Sequence, residues 1–512
     1  MSETVRPAGR AGVADLELAA QLDGYRHVRE QLERQVLAVA TSVDGRSFQV
    51  QASLYDLVLS RGGYVMLETE DRSWLGQITD MGIVNAPADV EGSSGSKTSI
   101  VLRLASGSGL VLDVGETPFH DAHVRPALPR EVGAWFDRAR PERAGLVVGE
   151  LLSAPGVPAV LDSGGLNRHT FMCGQSGSGK TYSLGLLLER VLLETTLRMV
   201  VLDPNSDYVG LGRLREGADS AWASRYEHVL DQVAVWGNGL TCDHQLRLAF
   251  AELDSSVQGA VLALDPIRDR DEYAVLADLL RTKKDGRPLI TGLDQLIEGS
   301  YSERQLGMRA ANLGVLDYAV WGATQRSIVQ ELRNPTARCT VIDLGSLETV
   351  QEQRLVAEAA LSTLWSTRLA REPCLVVIDE AHNVCPAEPH DPVSRIATEQ
   401  VVQLAAEGRK YGLYLLTSTQ RPYKVHENVV SQCDNLLLMR MNSQADIADL
   451  SRIFSFIPPG LMTGATAFRM GQALVGGRFF PDSGYVQMGR RTSQEGGADV
   501  PATWARPREL QP

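Results

Sequence analysis

The run Gly174-Gln175-Ser176-Gly177-Ser178-Gly179-Lys180-Thr181 decides the fold. It fits the pattern G-x-x-x-x-G-K-[ST], follows the apolar residues 170–173 and precedes the amphipathic residues 182–193, so it has a strand before it and a helix after it. Each part has a chemical purpose. The glycines let backbone N–H groups turn inward around phosphate oxygens, with the helix N-terminus behind them. Lys180 can reach the β- and γ-phosphates, and the Thr181 hydroxyl can ligate Mg²⁺.

A second element lies far downstream, in Leu375-Val376-Val377-Ile378-Asp379-Glu380. A buried apolar strand ending in two acids is what a phosphate loop needs beside it. Asp379 would hold Mg²⁺ through its water shell, and Glu380 would orient and deprotonate an attacking water. The next apolar run, 413–418, leads into Thr419-Gln420-Arg421-Pro422. A polar residue at that tip can sense a γ-phosphate; Gln420 is the first candidate and Thr419 the second. Upstream, Leu202-Asp203-Pro204-Asn205-Ser206-Asp207-Tyr208 brings two more acids to a strand end. Asp203 is a candidate polar contact for Mg²⁺ or its water, the alternative being a helix cap. Arg168, before the strand that leads to the phosphate loop, and Arg409, in Glu407-Gly408-Arg409-Lys410-Tyr411-Gly412, are candidates to meet a γ-phosphate from the same or a neighbouring chain.

Working outward, strands are expected near 146–148, 170–173, 199–202, 339–344, 375–378, 413–418 and 436–439, separated mostly by helical stretches. That alternation predicts an α/β domain with a mostly parallel sheet over 127–480, interrupted by a helical insertion at about 213–337. Before it, residues 35–126 alternate polar and apolar with frequent turn signals such as Asp44-Gly45 and Arg61-Gly62-Gly63, which predicts a small β-barrel or sandwich. Residues 1–34 form a helical extension in which Leu18, Leu22, Tyr25, Val28 and Leu32 recur at helical spacing. It is a docking helix or a helix packed on its own domain. Residues 481–512 are expected to be a tail.

The chain has 512 residues and a formal net charge of −13, which argues against a protein coated on its outside by nucleic acid and leaves a local basic contact or channel open. The basic cluster Arg281, Lys283, Lys284 and Arg287 is one candidate contact, against a solvated loop. Six scattered cysteines show no metal-ligand spacing and suggest free thiols. The first residues carry no apolar signal region and no apolar run reaches membrane-spanning length, so a cytoplasmic location without membrane is expected.

Taken together, these blocks resemble the HerA/FtsK branch of P-loop ATPases, and HerA-type hexameric DNA translocases in particular. The similarity runs through Leu54-Tyr55-Asp56-Leu57-Val58 and Leu75-Gly76-Gln77-Ile78-Thr79-Asp80 (like a HAS-barrel), Arg168-His169, the phosphate loop, residues 202–208, 377–383, 407–412, 419–422 and 431–435, and Gly471-Gln472-Ala473-Leu474-Val475-Gly476. The resemblance implies a RecA-like P-loop motor domain preceded by a small β-barrel, and an ATPase using ATP and Mg²⁺. By the same resemblance, residues 174–182, through Tyr182, bind the nucleotide. Asp379 and Glu380 form the metal and base pair, Gln420 is the sensor, Arg409 acts near the γ-phosphate of its own chain and Arg168 reaches the neighbour's. The family forms homohexameric rings on double-stranded DNA and works with a nuclease or other effector docked on the barrel face, in end processing or anti-phage defence. A rival expectation is an ATP-dependent scaffold that gates such an effector without translocation. A weaker one is a coupling ATPase of conjugation or secretion. Asn205-Ser206-Asp207-Tyr208 stands where the family often has a His-Gly-Glu-Tyr-like run, which leaves the role of Asp207 open.

Overall fold

The computed structural model of the protein describes residues 13–91, 97–113, 117–281, 283–284, 287–288, 293–297, 299–322 and 325–497. They divide into two compact units, one ending at Asp137 and also holding Ser153–Val157, the other comprising Arg138–Leu152 and the chain from Pro158.

The first unit is a closed barrel in the order β1-β2-β5-β4-β3-β6, from β1 (Val39–Ser42), β2 (Ser47–Ser53), β3 (Tyr64–Glu68), β4 (Ser73–Glu91), β5 (Lys97–Val111) and β6 (Phe119–Pro126). Strict alternation fills it. Phe48, Val50 and Ala52 of β2 point inward between exposed Ser47, Gln49 and Gln51, as one buried sheet face requires. Two glycines on β4 and β5 make room for the core: a Cβ on Gly109 would lie 2.2 Å from the Phe48 ring, and one on Gly76 2.9 Å from it. The helix α1 (Val13–Gln35) ends against this barrel, where buried Glu33 accepts the Arg103 N–H at 2.7 Å. Tyr25 on the same helix is half exposed. Residues 1–12 and the side chains of Leu18 and Leu22 lie outside the described residues. The connector helix α2 (Pro129–Ala139) also stays with the barrel: Glu131 pairs with Arg125 at 2.8 Å and Phe136 meets the Tyr64 ring edge-on. The unit boundary therefore falls about ten residues after the expected one at 126/127.

The second unit is built on a twelve-stranded sheet. Its strands are β7 (Gly145–Leu151), β8 (Pro158–Asp162), β9 (His169–Cys173), β10 (Arg198–Asp203), β11 (Val233–Gly237), β12 (His244–Gln245), β15 (Cys339–Asp343), β16 (Cys374–Ile378), β17 (Leu413–Thr419), β18 (Cys433–Met439), β19 (Gln472–Gly477) and β20 (Gly484–Met488). A separate two-stranded ribbon, β13 (Lys283–Lys284) and β14 (Arg287–Pro288), holds most of the basic cluster, whose side chains after Arg281 lie outside the described residues. The sheet order is β12-β11-β15-β10-β16-β17-β9-β18-β19-β20-β7-β8. The strands from β12 to β18 in that order are parallel, and the remaining neighbours pair antiparallel. Strands β9, β15 and β16 are buried at every position, and β10 at all but its first, Arg198, the near-continuous apolar reading expected when helices cover both faces. Among those helices are α3 (Lys180–Glu194), which follows the phosphate loop, and two long ones at Val350–Ser366 and Pro392–Glu407.

Two expectations about this unit change. The stretch 213–337 is not wholly helical: Val233-Ala234-Val235-Trp236-Gly237 is a buried strand pairing in parallel with β15. Five consecutive residues without alternation give no period by which to tell a buried strand from a helix segment. Residues 481–512 are not simply a tail either. Gly484–Met488 is an interior strand of the sheet, and residues 491–494 are tied to α3. The residues beyond 497 lie outside the described ones. No helix among the described residues is long and apolar enough to cross a membrane.

Candidate active site

The strand order places the site. In the sheet β17 lies between β9 and β16, so the tip of the Gln420 strand separates the phosphate loop from the two acids. Cys173 is level with Thr419, and Ile378 with Thr417, so all three chains leave the sheet at the same edge. The loop itself needs its glycines. Gly177 and Gly179 have φ of +72° and +90°, and a Cβ on Gly174 would sit 2.7 Å from that of Met439. No side chain caps the first turn of α3, whose N-cap is Gly179, which leaves that end to an anion.

At this edge the expected residues converge. Lys180 Nζ lies 2.7 Å from Asp379 Oδ1, 3.1 Å from Glu380 Oε1 and 3.1 Å from Ser418 Oγ, with all three charged groups buried. Burial works against each charge, yet the neighbouring Asp379 and Glu380 hold the Lys180 ammonium above its ordinary range, and Lys180 holds the Asp379 carboxyl below its own. Gln420 Nε2 donates to Glu380 Oε1 at 2.9 Å. Thr419 Oγ1, the second sensor candidate, meets His382 Nδ1 at 3.0 Å, and that nitrogen is also 3.3 Å from Glu380 Oε2. Glu380 itself has φ +43° and ψ +50°, an uncommon backbone conformation for a residue with a side chain. Ser206, with φ +61°, is a second such residue, on the loop after β10. Strain of this kind persists where the surroundings fix it, which is common at working sites.

Thr181 and Tyr182 line a cavity of about 530 Å³ with the phosphate loop, Asp207 and Gln420. The Tyr182 hydroxyl accepts the Arg491 N–H at 2.7 Å and the Arg215 guanidinium at 3.2 Å. Asp203 is placed differently from a metal contact. Its two oxygens accept the N–H groups of Asp207 and Tyr208 at 2.9 and 2.8 Å, and burial pushes its carboxyl up to about 8. It holds the 203–208 loop closed, the capping alternative. Asp207, immediately before buried Tyr208, faces the cavity; burial and the Asp379 charge push its carboxyl up to about 6.

Arg168 and Arg409 are brought together, but at the other edge of the sheet. Arg409 Nη1 lies 2.8 Å from Asp434 Oδ2, and Arg168 Nη1 lies 3.6 Å from the same oxygen. Asp434 is at the beginning of β18, level with the start of β9, while the phosphate loop follows the end of β9. The strand preceding Gln420 has seven residues, so roughly 20 Å of sheet separates Arg409 from the catalytic edge of its own chain. The expected same-chain placement of Arg409 beside its own γ-phosphate site is therefore corrected. The sequence puts it on the turn just before β17, but does not say which strands flank β17 at the end where the phosphate loop lies.

Several residues at the site escaped the sequence reading. Tyr208 Oη donates to Asp379 Oδ2 at 3.0 Å. Arg440 Nη2 reaches the Gly177 carbonyl at 3.3 Å, and Met488, Gly489 and Glu495 border the cavity. The segment after β20 is fastened by Glu189 of α3. That fully buried carboxylate accepts the N–H groups of Thr492 and Ser493 and the Ser493 hydroxyl, with Arg491 Nε at 3.5 Å. No local signal marks these residues, because their partners lie tens to hundreds of positions away; only the Tyr closing the 202–208 block stood within a noted motif.

Residues 146–363 match the family model described as Helicase HerA, central domain. The DNA double-strand break repair helicase HerA of Pyrococcus furiosus is 23% identical over 385 residues, covering 65% of this chain and 67% of that one. The probable DNA double-strand break repair helicase HerA of Methanocaldococcus jannaschii is 21% identical over 405 residues, covering 70% and 78%. Among solved structures, VirB4 of Thermoanaerobacter pseudethanolicus aligns with 68% of this chain and 97% of its own at 14% identity, with a TM-score of 0.46.

Proposed function

This chain is a P-loop ATPase of the HerA type, and from that premise we propose that it hydrolyses ATP to drive movement along double-stranded DNA as a homohexameric ring. The observation that carries the ATPase chemistry is the insertion of β17 between β9 and β16, with Lys180 in contact with Asp379 and Glu380, and Gln420 bonded to Glu380.

The donors offered there are a hydroxyl and carboxylates, hard oxygens that suit Mg²⁺. Thr181 and Asp379 would hold the ion, which supplies charge neutralisation across the β- and γ-phosphates. Lys180 exchanges its carboxylate partners for the phosphates when ATP enters. Glu380 then takes the proton of the attacking water, and Gln420, bonded to that carboxylate, orients it. Arg168 and Arg409, gathered by Asp434 at the far edge, act on the site of the neighbouring subunit, where a guanidinium stabilises the charge developing on the γ-phosphate.

DNA as the track is supported by the relatives, which are named as double-strand break repair helicases. With a net charge of −13, contact is confined to the ring's channel and made through phosphates. A nuclease or other effector docks on the barrel face. The test is duplex-stimulated ATP hydrolysis at low salt, with stimulation that declines as salt rises. If duplex DNA has no effect while an effector protein does stimulate turnover, the chain is a gating scaffold and the motor reading fails.

A further inference from the structure

We propose that Tyr208 is a positioning residue for the metal carboxylate, and that Asp203 serves the site through Tyr208 instead of touching the metal; this rests on the ATPase reading above.

Asp379 receives donors on both oxygens: Lys180 Nζ and the Glu380 N–H address Oδ1, at 2.7 and 2.9 Å, and Tyr208 Oη addresses Oδ2, at 3.0 Å, with the Ser418 hydroxyl also bonding to the group. The donors on the two oxygens differ in permanence. Lys180 has a second task, because the P-loop lysine must move onto the phosphates. Tyr208 has none. Its ring is fully buried, and its backbone N–H is fixed by Asp203 Oδ2 at 2.8 Å. The Arg491 guanidinium lies 5.9 Å from its ring centroid. An ordinary tyrosine phenol titrates at about 10, so at neutral pH the hydroxyl keeps its proton and remains a donor. Once Lys180 has moved away, Tyr208 still fixes the plane of the Asp379 carboxylate and leaves Oδ1 turned toward the loop. Asp203, buried and with both oxygens on the backbone of the Asp207–Tyr208 turn, sets where that hydroxyl stands.

This differs from a merely structural tyrosine in one respect. Losing a packing contact weakens nucleotide binding with and without metal alike, whereas losing the donor to Asp379 weakens only the metal-dependent part. The experiment is binding of a fluorescent ADP to full-length protein, titrated with Mg²⁺ or held in EDTA, for wild type, Tyr208→Phe, Asp203→Asn and Asp379→Asn. Tyr208→Phe keeps the ring and removes only the hydroxyl. We expect its metal-free ADP affinity to match wild type and its half-saturating Mg²⁺ concentration to rise about tenfold, as for other partners that orient a metal ligand. Added to Asp379→Asn, it should change the Mg²⁺ midpoint no further. An unchanged midpoint in Tyr208→Phe overturns the proposal, as does an equal loss of affinity in EDTA. A midpoint shift in Asp203→Asn larger than in Tyr208→Phe overturns it too, since Asp203 would then be the metal contact. Failure of the underlying reading looks different: wild-type ADP binding would then be indifferent to both Mg²⁺ and Asp379→Asn.

Discussion

The Gln420 side-chain amide donates to Glu380 Oε1 at 2.9 Å, and the same carboxylate oxygen lies 3.1 Å from Lys180 Nζ. The proposed γ-phosphate sensor and phosphate-binding lysine thus share one oxygen of the proposed base. Gln420→Ala should lower kcat by about 10²-fold and leave the KM for ATP near its wild-type value. Steady-state ATPase assays check this; a change in KM alone would place Gln420 in binding instead.

Glu380→Gln and Lys180→Ala should separate turnover from binding. The first keeps the shape of the base and removes its proton affinity, so ATP binds and turnover drops by at least about 10²-fold. The second loses nucleotide affinity, because the phosphates lose their buried cation. Binding titrations beside ATPase rates distinguish the two, and normal hydrolysis by Glu380→Gln would end the assignment of the base.

Arg168 and Arg409 share Asp434 at the edge remote from their own phosphate loop. Alanine at either position should reduce ATP hydrolysis by about 10³-fold. Mixing either variant with Lys180→Ala should restore part of the activity, since an intact arginine then faces an intact loop at some interfaces. No recovery at any mixing ratio would contradict action across the interface.

The segment after β20 is held by a fully buried Glu189–Arg491 pair. Glu189→Ala strands that guanidinium and several N–H groups, and should cost about 3 to 5 kcal/mol of stability. Glu189→Gln, which keeps an acceptor, should cost less. Denaturation of the two variants tests this, and the KM for ATP should rise with the loss because Glu495 and Met488 border the cavity.

His169 supplies a pH dependence of stability. Leu415 N–H donates to its Nδ1 and its Nε2 faces the Ala405 carbonyl, both at 2.9 Å, so the neutral ring carries its proton on Nε2. Burial, with the Arg409 charge second, pushes it down to about 4. The unfolded chain binds this proton near pH 6.5, so the stabilisation is complete above that pH and is lost as pH falls toward 4. The loss amounts to about 3 kcal/mol. The difference in unfolding free energy between wild type and His169→Gln should shrink by this amount between pH 7 and 4.

The phosphate loop, Asp379-Glu380 and Gln420 were legible because each is a short contiguous run at the end of an apolar strand, where sequence order and spatial order coincide. What failed depended on strand order. Arg409 precedes β17 and Gln420 follows it, but nothing local says that β17 enters between β9 and β16, so the distance of Arg409 from the phosphate loop could not be read. Asp203 looked like a metal contact because a carboxylate at a strand end has two uses, and only the Asp207 and Tyr208 N–H groups decide between them. Tyr208 and Arg491 were invisible as site residues, since a tyrosine 171 positions from its carboxylate and an arginine 302 from its own carry no pattern. The barrel was readable from period-two alternation, whereas β11, buried throughout, had no alternation to read.

On the proposed function, this site drives the chain along duplex DNA. Displacement of a third strand from a DNA triplex tests it most directly, because the third strand leaves only when something moves along the duplex beneath it. Wild-type protein with ATP should displace the strand and Glu380→Gln should not, although it binds ATP and DNA. A wild-type protein that hydrolyses ATP in the presence of the triplex and leaves the third strand in place would contradict the account.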